Sequence, residues 1–330
     1  MRRLKVLGIA AAAALVMTGC SSQAPADSTS KAPAELQVVH VGQVVLPIFA
    51  PLYVADAKGY FKDEGIKLDL QAVQSGSVAV PLAASGQLDV VVAGFSAGMF
   101  GAISTGLDIK VVGSMGVSDG NTSKSPTDLV VSKNIKSITD LKGKKVGAGG
   151  GMGATGAYLL NVALKTAGMT VKDVTVVNIG NPDMPAALAN GSIDAGLMSA
   201  PFSTNALAAG GTSLWVPPKG TSGTGVLYGG AFVKSPLAQK FFNALAKGAK
   251  DLQDGKAYDQ KNLEIIGAAT NQTADKVKSV PLYTWLPNLA PLPDQLKDME
   301  KFWLDNAALT YGSPIAASKY IDESFAKKVK

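Results

Sequence analysis

The chain is poor in the residues that form covalent cross-links and metal sites. Its 330 residues include one cysteine, Cys20, and one histidine, His40. A single cysteine excludes an intramolecular disulfide framework, and no group of His, Asp and Glu residues has the spacing of metal ligands. We therefore expect no metal and no cofactor, and a fold whose stability comes from its apolar core.

Arginine is almost absent as well, because it occurs only as Arg2 and Arg3. If these and Lys5 are removed with a leader segment, the formal charge falls from +6 to +3. The remaining lysines form no basic stripe, so we expect no nucleic-acid surface. A folded body without arginine also lacks the guanidinium fork that binds carboxylate and phosphate through two hydrogen bonds.

No hydrophobic run is clearly long enough to cross a bilayer. The apolar run from Val6 to Met17 is short and follows a basic start, which is typical of a secretory signal. Residues 17–20, Met-Thr-Gly-Cys, resemble a bacterial lipobox, with methionine where leucine is usual. We predict a signal peptide at residues 1–19, lipidation of Cys20, and a flexible Ser/Ala/Pro-rich tether at residues 20–34. The protein would then be exported and lipid-anchored to the bacterial cell membrane, facing the periplasm or cell exterior; the alternative is an ordinary secretory signal cleaved nearby.

From Leu36 onward, short apolar strands alternate with helical segments, which predicts an α/β fold with mostly parallel sheets flanked by helices. Residues 84–95 are echoed by residues 189–200, at an offset of 105. In each copy a helix ends at a glycine, an aspartate follows, and a buried strand leads to a small-residue loop. The duplication predicts two similar lobes whose sheets turn their carboxyl ends toward a shared ligand cleft.

After Pro236 the pattern becomes helical, and we expect these helices to pack on the first lobe. The predicted lobe 1 comprises residues 35–130 and 231–330, and lobe 2 comprises residues 131–230. The chain then crosses between the lobes twice, near residues 128–132 and 226–233. These crossings are the expected hinge segments.

Residues 94–98, Gly-Phe-Ser-Ala-Gly, match the nucleophile elbow of a serine hydrolase and lie between a predicted strand and a helix. In that fold the base is a histidine that follows the serine, whereas His40 precedes Ser96. A serine hydrolase that uses Ser96 stays an alternative, but we expect no enzyme and no catalytic residue. The same geometry suits a helix start that offers backbone N–H groups and a hydroxyl to a ligand.

Residues 151–156 match the dinucleotide fingerprint G-x-G-x-x-G after a predicted strand. A dinucleotide site also needs an acidic residue at the end of the next strand, where this chain has Asn178, Gly180 and Asn181. We interpret the loop as a site for a small polar group, with backbone donors and the Thr155 hydroxyl.

Other notable residues receive structural interpretations. We interpret His40 as a packed strand residue, and Asp89 and Asp194 as structural carboxylates at the end of each sheet away from the cleft. The three tryptophans, at 215, 285 and 303, are candidates for the core or for the cleft walls.

Several segments together resemble one family. The stretch from Pro51 to Leu70, residues 84–89, residues 135–147 and the glycine loop to Gly156 are similar to ABC-transporter substrate-binding proteins of the nitrate/sulfonate/taurine and thiamine-pyrimidine-precursor family. The similarity runs from about Leu36 to Phe202.

The resemblance implies a two-lobed periplasmic-binding-protein type II fold. It would belong to a monomeric receptor that closes on a small molecule and delivers it to the transmembrane subunits of an ABC permease. The positions implied for ligand binding are Gln43, Phe49, Tyr53, Ser75, Gly76, Gly94, Phe95, Ser96, Ser114, Met152, Gly153, Ala154, Thr155, Asn181, Asp183, Pro201 and Phe202.

The ligand class stays open. Many members have an acidic residue before the proline in the second-lobe loop, and here residues 199–202 are Ser-Ala-Pro-Phe. This argues against a strongly cationic ligand. We favour a sulfonate- or carboxylate-type anion, held by backbone N–H groups and hydroxyls. The alternative is a neutral flat heterocycle, such as a pyrimidine or flavin-like vitamin precursor, stacked on Phe95, Phe202 or Tyr53.

Overall fold

The computed structural model describes residues 35–329. The predicted signal peptide, Cys20 and the tether lie outside the described residues. The described part contains ten strands: β1 (Gln37–Gln43), β2 (Ile66–Ala72), β3 (Val90–Gly94), β4 (Ile109–Ser114), β5 (Thr127–Val131), β6 (Lys145–Ala148), β7 (Thr175–Asn178), β8 (Ala195–Ser199), β9 (Thr212–Trp215) and β10 (Thr224–Gly229).

Helices connect the strands and form the C-terminal region. They are α1 (Ala50–Ala57), α2 (Tyr60–Asp63), α3 (Gly76–Ala84), α4 (Ala97–Ser104), α5 (Thr155–Lys165), α6 (Met184–Ala189), α7 (Phe202–Ala208), α8 (Gly230–Val233), α9 (Leu237–Lys250), α10 (Gln260–Ala269), α11 (Ala274–Lys278), α12 (Pro293–Asp305) and α13 (Ser324–Lys327). The predicted helical C-terminal region is confirmed.

The strands form two five-stranded sheets, one for each lobe. The first has the order β2-β1-β3-β10-β4 and the second the order β7-β6-β8-β5-β9. In the first sheet β1 pairs in parallel with β2 and β3, and β10 is antiparallel to β3 and β4. The second sheet repeats this arrangement, with β6 parallel to β7 and β8 and with β5 antiparallel to β8 and β9. The predicted two-lobed α/β class, with a mixed and mostly parallel sheet in each lobe, is confirmed.

The sheets to which β5 and β10 belong place the crossings between the lobes at other residues than the sequence predicted. The predicted division assigned most of β5 to the first lobe and β10 to the second, whereas β5 lies in the second sheet and β10 in the first. The reason is that each antiparallel strand belongs to the sheet reached after its crossing, which a single sequence does not show. We now propose crossings at residues 115–126 and 216–223. The crossings touch at an isolated bridge from Val117 to Ser222, and Val117 also forms an isolated bridge with Thr284 in the C-terminal region.

The internal echo is also present in the hydrogen bonds. Asp89 accepts the backbone N–H of His40 through Oδ2 at 2.8 Å, and Asp194 accepts the backbone N–H of Lys145 in the same way at 2.9 Å. Each aspartate thereby ties the start of one strand to a neighbouring parallel strand. Both carboxylates act in the structural way that the sequence suggested.

His40 differs from its predicted role as a packed residue. Its side chain is 46% exposed, and Nδ1 lies 2.8 Å from Asp69 Oδ2 on the neighbouring edge strand β2. The alternation along β1 turns this side chain to the uncovered face of the sheet edge. Trp303 is fully buried and Trp285 is nearly so, whereas Trp215 is half-buried.

The C-terminal helices bury an apolar face against the first lobe. Along α9, the buried residues Ala238, Phe241, Phe242, Leu245 and Ala249 recur at spacings of three and four, which places them on one helical face. They join the core cluster of the first sheet and α1. Among the described residues, no helix combines the length and apolar character that a membrane crossing requires, and no group of three or more His, Cys, Asp and Glu side chains could hold a metal ion.

The contact between α9 and α1 predicts opposite effects for two Gly→Ala substitutions. A Cβ atom at Gly248 would lie 2.2 Å from the carbonyl oxygen of Pro51, whereas a Cβ at Gly101 in α4 would meet nothing within 4 Å. We expect Gly248→Ala to lower the free energy of unfolding by about 1–3 kcal/mol through overpacking. Gly101→Ala should raise it by about 0.5–1 kcal/mol, because alanine is the better helix former. Urea denaturation measures both, and equal effects would contradict the packing described for α9.

Candidate functional site

A cavity of about 740 Å³ lies between the two lobes. The first lobe contributes the loop after β1, residues 74–77 and residues 94–98; the second contributes the glycine loop after β6 and the end of β8. These segments follow the carboxyl ends of parallel strands, where ligands bind in open α/β sheets. The size lies within the usual range for small-molecule sites.

The structure places part of the predicted binding set at this cavity. The members of the set that line it are Phe49, Ser75, Gly76, Gly94, Phe95, Ser96, Gly153, Ala154, Thr155 and Asn181. They come from five loops that are far apart in the sequence, and the facing of the two sheets brings them together.

The other predicted residues lie outside the lining, and Tyr53 and Ser114 among them form side-chain hydrogen bonds within the protein. They are Gln43, Tyr53, Ser114, Met152, Asp183, Pro201 and Phe202. The Tyr53 hydroxyl accepts the N–H of Leu46 at 3.2 Å and so shapes the loop that does line the cavity. Ser114 Oγ donates to the carbonyl of Ala290 at 2.7 Å. Phe202 begins α7, and its neighbours Ser199 and Ala200 reach the cavity instead.

Sequence reasoning missed the contribution of the crossings and of the C-terminal region. Ser118, Thr127 and Thr224 line the cavity from or beside the crossings, and Tyr283 lines it from the segment after α11. The hydroxyls of Tyr283 and Thr127 hydrogen-bond at 2.7 Å, which connects the first lobe to the second. Burial raises the pKa of Tyr283, so its phenol stays protonated. In the sequence, the Ser/Thr-rich composition of residues 118–127 was the one signal that could have indicated these lining residues.

Ser96 has a capping role in this geometry. It precedes α4 in an extended conformation, and its Oγ accepts the N–H of Met99 at 3.3 Å. None of the described residues holds a basic nitrogen or a carboxylate against Ser96 Oγ. Activation of a serine requires such a base, so the elbow motif here caps a helix.

Backbone geometry explains why glycine occurs at position 76 and in the loop after β6. A Cβ at Gly76 would lie 2.3 Å from the carbonyl oxygen of Gly94, so only glycine lets these two first-lobe turns approach. Gly150 and Gly151 have φ values of +80° and +64°, which glycine adopts readily. The glycine motif therefore forms a tight turn into α5.

The lining is rich in hydroxyls and lacks charge. Among the described residues that line the cavity there is no Asp, Glu, Lys, Arg or His. Both α3 and α5 begin at the cavity without a side-chain cap, so no capping side chain occupies their first N–H groups. Asn181 Oδ1 accepts the N–H of Ser199 at 2.9 Å, and its Nδ2 has no partner among the described residues. Thr224 Oγ1 is buried and likewise has none.

A second groove of about 780 Å³ shares the wall formed by residues 280–283. It contains the buried carboxyl of Asp128, whose Oδ1 accepts the hydroxyl of Ser213 at 2.8 Å. Burial raises the pKa of Asp128. Asp128 lines this second groove and is not among the residues that line the first cavity.

Comparison with known proteins agrees with this architecture. A family described as NMT1/THI5 like matches residues 47–254. The riboflavin-binding protein RibY of Chloroflexus aurantiacus is 32% identical over 195 residues, which are 54% of this chain and 53% of that protein. The 4-amino-5-hydroxymethyl-2-methylpyrimidine phosphate synthase of Aspergillus parasiticus is 34% identical over 155 residues, 46% of this chain and 42% of that protein. The chain thus spans about half the length of the curated relatives it matches.

A solved structure confirms the fold. The periplasmic aliphatic sulphonate binding protein SsuA of Escherichia coli superposes with a TM-score of 0.67 at 18% identity, covering 83% of this chain and 94% of that one. The predicted periplasmic-binding-protein type II fold is therefore confirmed. The relatives include both binding proteins and an enzyme.

The geometry around Ser96 predicts that this serine is unreactive. We expect no adduct with a fluorophosphonate probe in an intact-mass measurement, because no base is present to remove the hydroxyl proton. A serine hydrolase in the same solution serves as the positive control. Ser96→Ala should lower the free energy of unfolding by about 0.5–2 kcal/mol through loss of the helix cap. An adduct that Ser96→Ala abolishes would overturn the capping interpretation.

Proposed function

The chain belongs to the NMT1/THI5-like family, and on that premise we propose that it is the solute-binding component of an ABC importer. It captures a small organic molecule between its lobes and delivers it to the permease subunits. The observation that carries the proposal is the interlobe cavity, which has the size of a ligand site and whose described lining contains no activated nucleophile. Binding by lobe closure, with no chemical step, is the activity that this geometry supports best.

We further propose that the ligand is neutral and flat. The sequence favoured an anion, but an anion inside this cavity would meet no cationic side chain of the described lining. Removing a full charge from water without a cationic partner is costly, whereas a polar heterocycle needs only hydrogen bonds. The helix amides and Asn181 Nδ2 supply donors for its oxygen and nitrogen atoms.

The names of two relatives support a heterocyclic ligand. One is a riboflavin-binding protein, and the other is a synthase of a pyrimidine phosphate. The cavity is compatible with either ring system unphosphorylated, because no described lining residue is a charged partner for a phosphate. Phe49, Phe95 and Tyr283 contribute ring surface to the walls.

Matched pairs of compounds test the ligand class by thermal shift. We expect nicotinamide to stabilise the protein more than nicotinate, and benzenesulfonamide more than benzenesulfonate, because only the neutral members avoid desolvating an unpaired charge. Riboflavin and unphosphorylated pyrimidines extend the screen. A ligand at a hundred times its Kd adds about 2.7 kcal/mol of stability.

Salt and pH dependence provide the control for this screen. Binding of a neutral ligand to an uncharged cavity should change little between low and high salt, and little between pH 5 and pH 8. A larger shift with the sulfonate or carboxylate, weakened by salt, would instead identify an anion receptor. No shift with any compound, and nothing co-purifying by mass spectrometry, would favour a structural lipoprotein.

The localisation that we propose is the outer face of the bacterial cell membrane, with Cys20 as the lipid-bearing residue. Two or three acyl chains on one cysteine suffice for stable anchoring. In cells that make the full chain, we expect the protein in the membrane fraction and a mass increment on Cys20. Cys20→Ser should move it to the soluble exported fraction. If the wild-type protein is already released, the leader is an ordinary secretory signal.

A further inference from the structure

The two lobes touch where their ligand-facing turns meet. Ser96, after β3 of the first sheet, and Ala154, before α5 of the second lobe, form an isolated antiparallel bridge. The next residue, Thr155, is the first of α5. The glycine loop of the second lobe is therefore held against the elbow turn of the first.

The side chain of Thr155 extends this contact. Its Oγ1 donates to the carbonyl of Phe95 at 2.8 Å and lies 3.1 Å from the carbonyl of Gly223. A hydroxyl has one proton, so these two acceptors share the whole donor capacity of the side chain. The hydroxyl therefore has no proton left to donate to a ligand. The structure thus gives the hydroxyl proton an interlobe contact, and the expectation that Thr155 contacts the ligand stays a prediction.

Gly223 provides the space for this approach. A Cβ atom at Gly223 would lie 2.2 Å from Thr155 Cγ2 but 3.3 Å from its Cβ. The φ of Gly223 lies outside the left-handed region, so its backbone would accept alanine. Gly223 therefore needs to lack a side chain so that the Thr155 methyl group can pack against its backbone.

We propose that Thr155 and Gly223 form an interlobe clasp that holds the lobes in the arrangement enclosing the cavity. Thr155 is then a positioning residue, which acts on binding through lobe geometry. The consequence for ligand affinity rests on the proposed function, whereas the consequence for lobe geometry does not. If the clasp sets the fraction of molecules in the competent arrangement, losing it weakens every ligand by the same factor.

Four variants test two features of Thr155 separately: the hydrogen bond of its hydroxyl and the packing of its methyl group against Gly223. Thr155→Val keeps the shape and removes the donor, so Phe95 loses its side-chain partner. Thr155→Ser keeps the donor and removes the methyl group. Gly223→Ala introduces the 2.2 Å clash with Cγ2, and the double variant Gly223→Ala/Thr155→Ser removes that clash again. Gly101→Ala, which meets nothing within 4 Å, is the matched control.

The decisive measurement uses no ligand. Spin labels at Lys62→Cys on the first lobe and Lys172→Cys on the second, both exposed positions, report the interlobe distance in a Cys20→Ser background. We expect Thr155→Val and Gly223→Ala to shift or broaden the distance distribution. Thr155→Ser, the double variant and Gly101→Ala should match the parent. If Thr155→Ser restores the parent distance distribution in the Gly223→Ala background, a general loss of stability does not explain the effect of Gly223→Ala.

Affinity gives the second readout. For nicotinamide and benzenesulfonamide we expect Thr155→Val to weaken binding about 2- to 10-fold, by the same factor for both compounds. Unchanged distances in both Thr155→Val and Gly223→Ala would overturn the clasp. So would failure of the double variant to recover the parent distribution. If neither compound binds the parent protein, that proposed ligand class fails, and the distance measurements still decide the clasp.

Discussion

The structure depends on the exchange of one strand between the two halves of the chain. Strand β10 reaches the first sheet after the second lobe is complete and lies between β3 and β4, where Val226, Leu227 and Tyr228 are buried. Strand β5 occupies the corresponding place in the second sheet. Each antiparallel strand supplies ladder hydrogen bonds on both of its sides, so neither sheet is complete without the crossing that precedes it. The lobes are thereby joined by two segments next to the cavity, which is the geometry of a hinge.

This arrangement explains why the site is made from loops and main-chain groups. The parallel strands of both sheets end at the cleft, and short turns into α3, α4 and α5 present helix amides there. Charged side chains are absent from the described lining, so selectivity has to come from shape and from the placement of hydrogen-bond donors and acceptors. Several lining hydroxyls are already used between protein groups. Thr127 is bonded to Tyr283, and Ser118 is bonded to the carbonyl of Pro217.

The duplicated pattern made the fold predictable, and the turns were predictable because glycine and small residues mark the ends of strands. Asp89 and Asp194 could be interpreted as structural because each stands at the same place in the echo, and both bond a neighbouring strand. Phe202 and Tyr53, which the sequence placed in the binding set, lie outside the cavity lining for a different reason. A residue next to a ligand-facing turn points into the cavity or away from it according to backbone direction, and sequence position alone does not give that direction.

The amino-acid sequence by itself determined the α/β class, the two-lobed architecture and the turns that face the cleft. It did so because strand and helix periodicity and glycine turns are local signals that repeat in both halves. Only the tertiary structure decided which sheet receives β5 and β10, that Tyr283 forms a wall of the cavity, and that the Thr155 hydroxyl is bonded across the lobes. These features join residues 60 to 156 positions apart, and such contacts depend on how the lobes face each other.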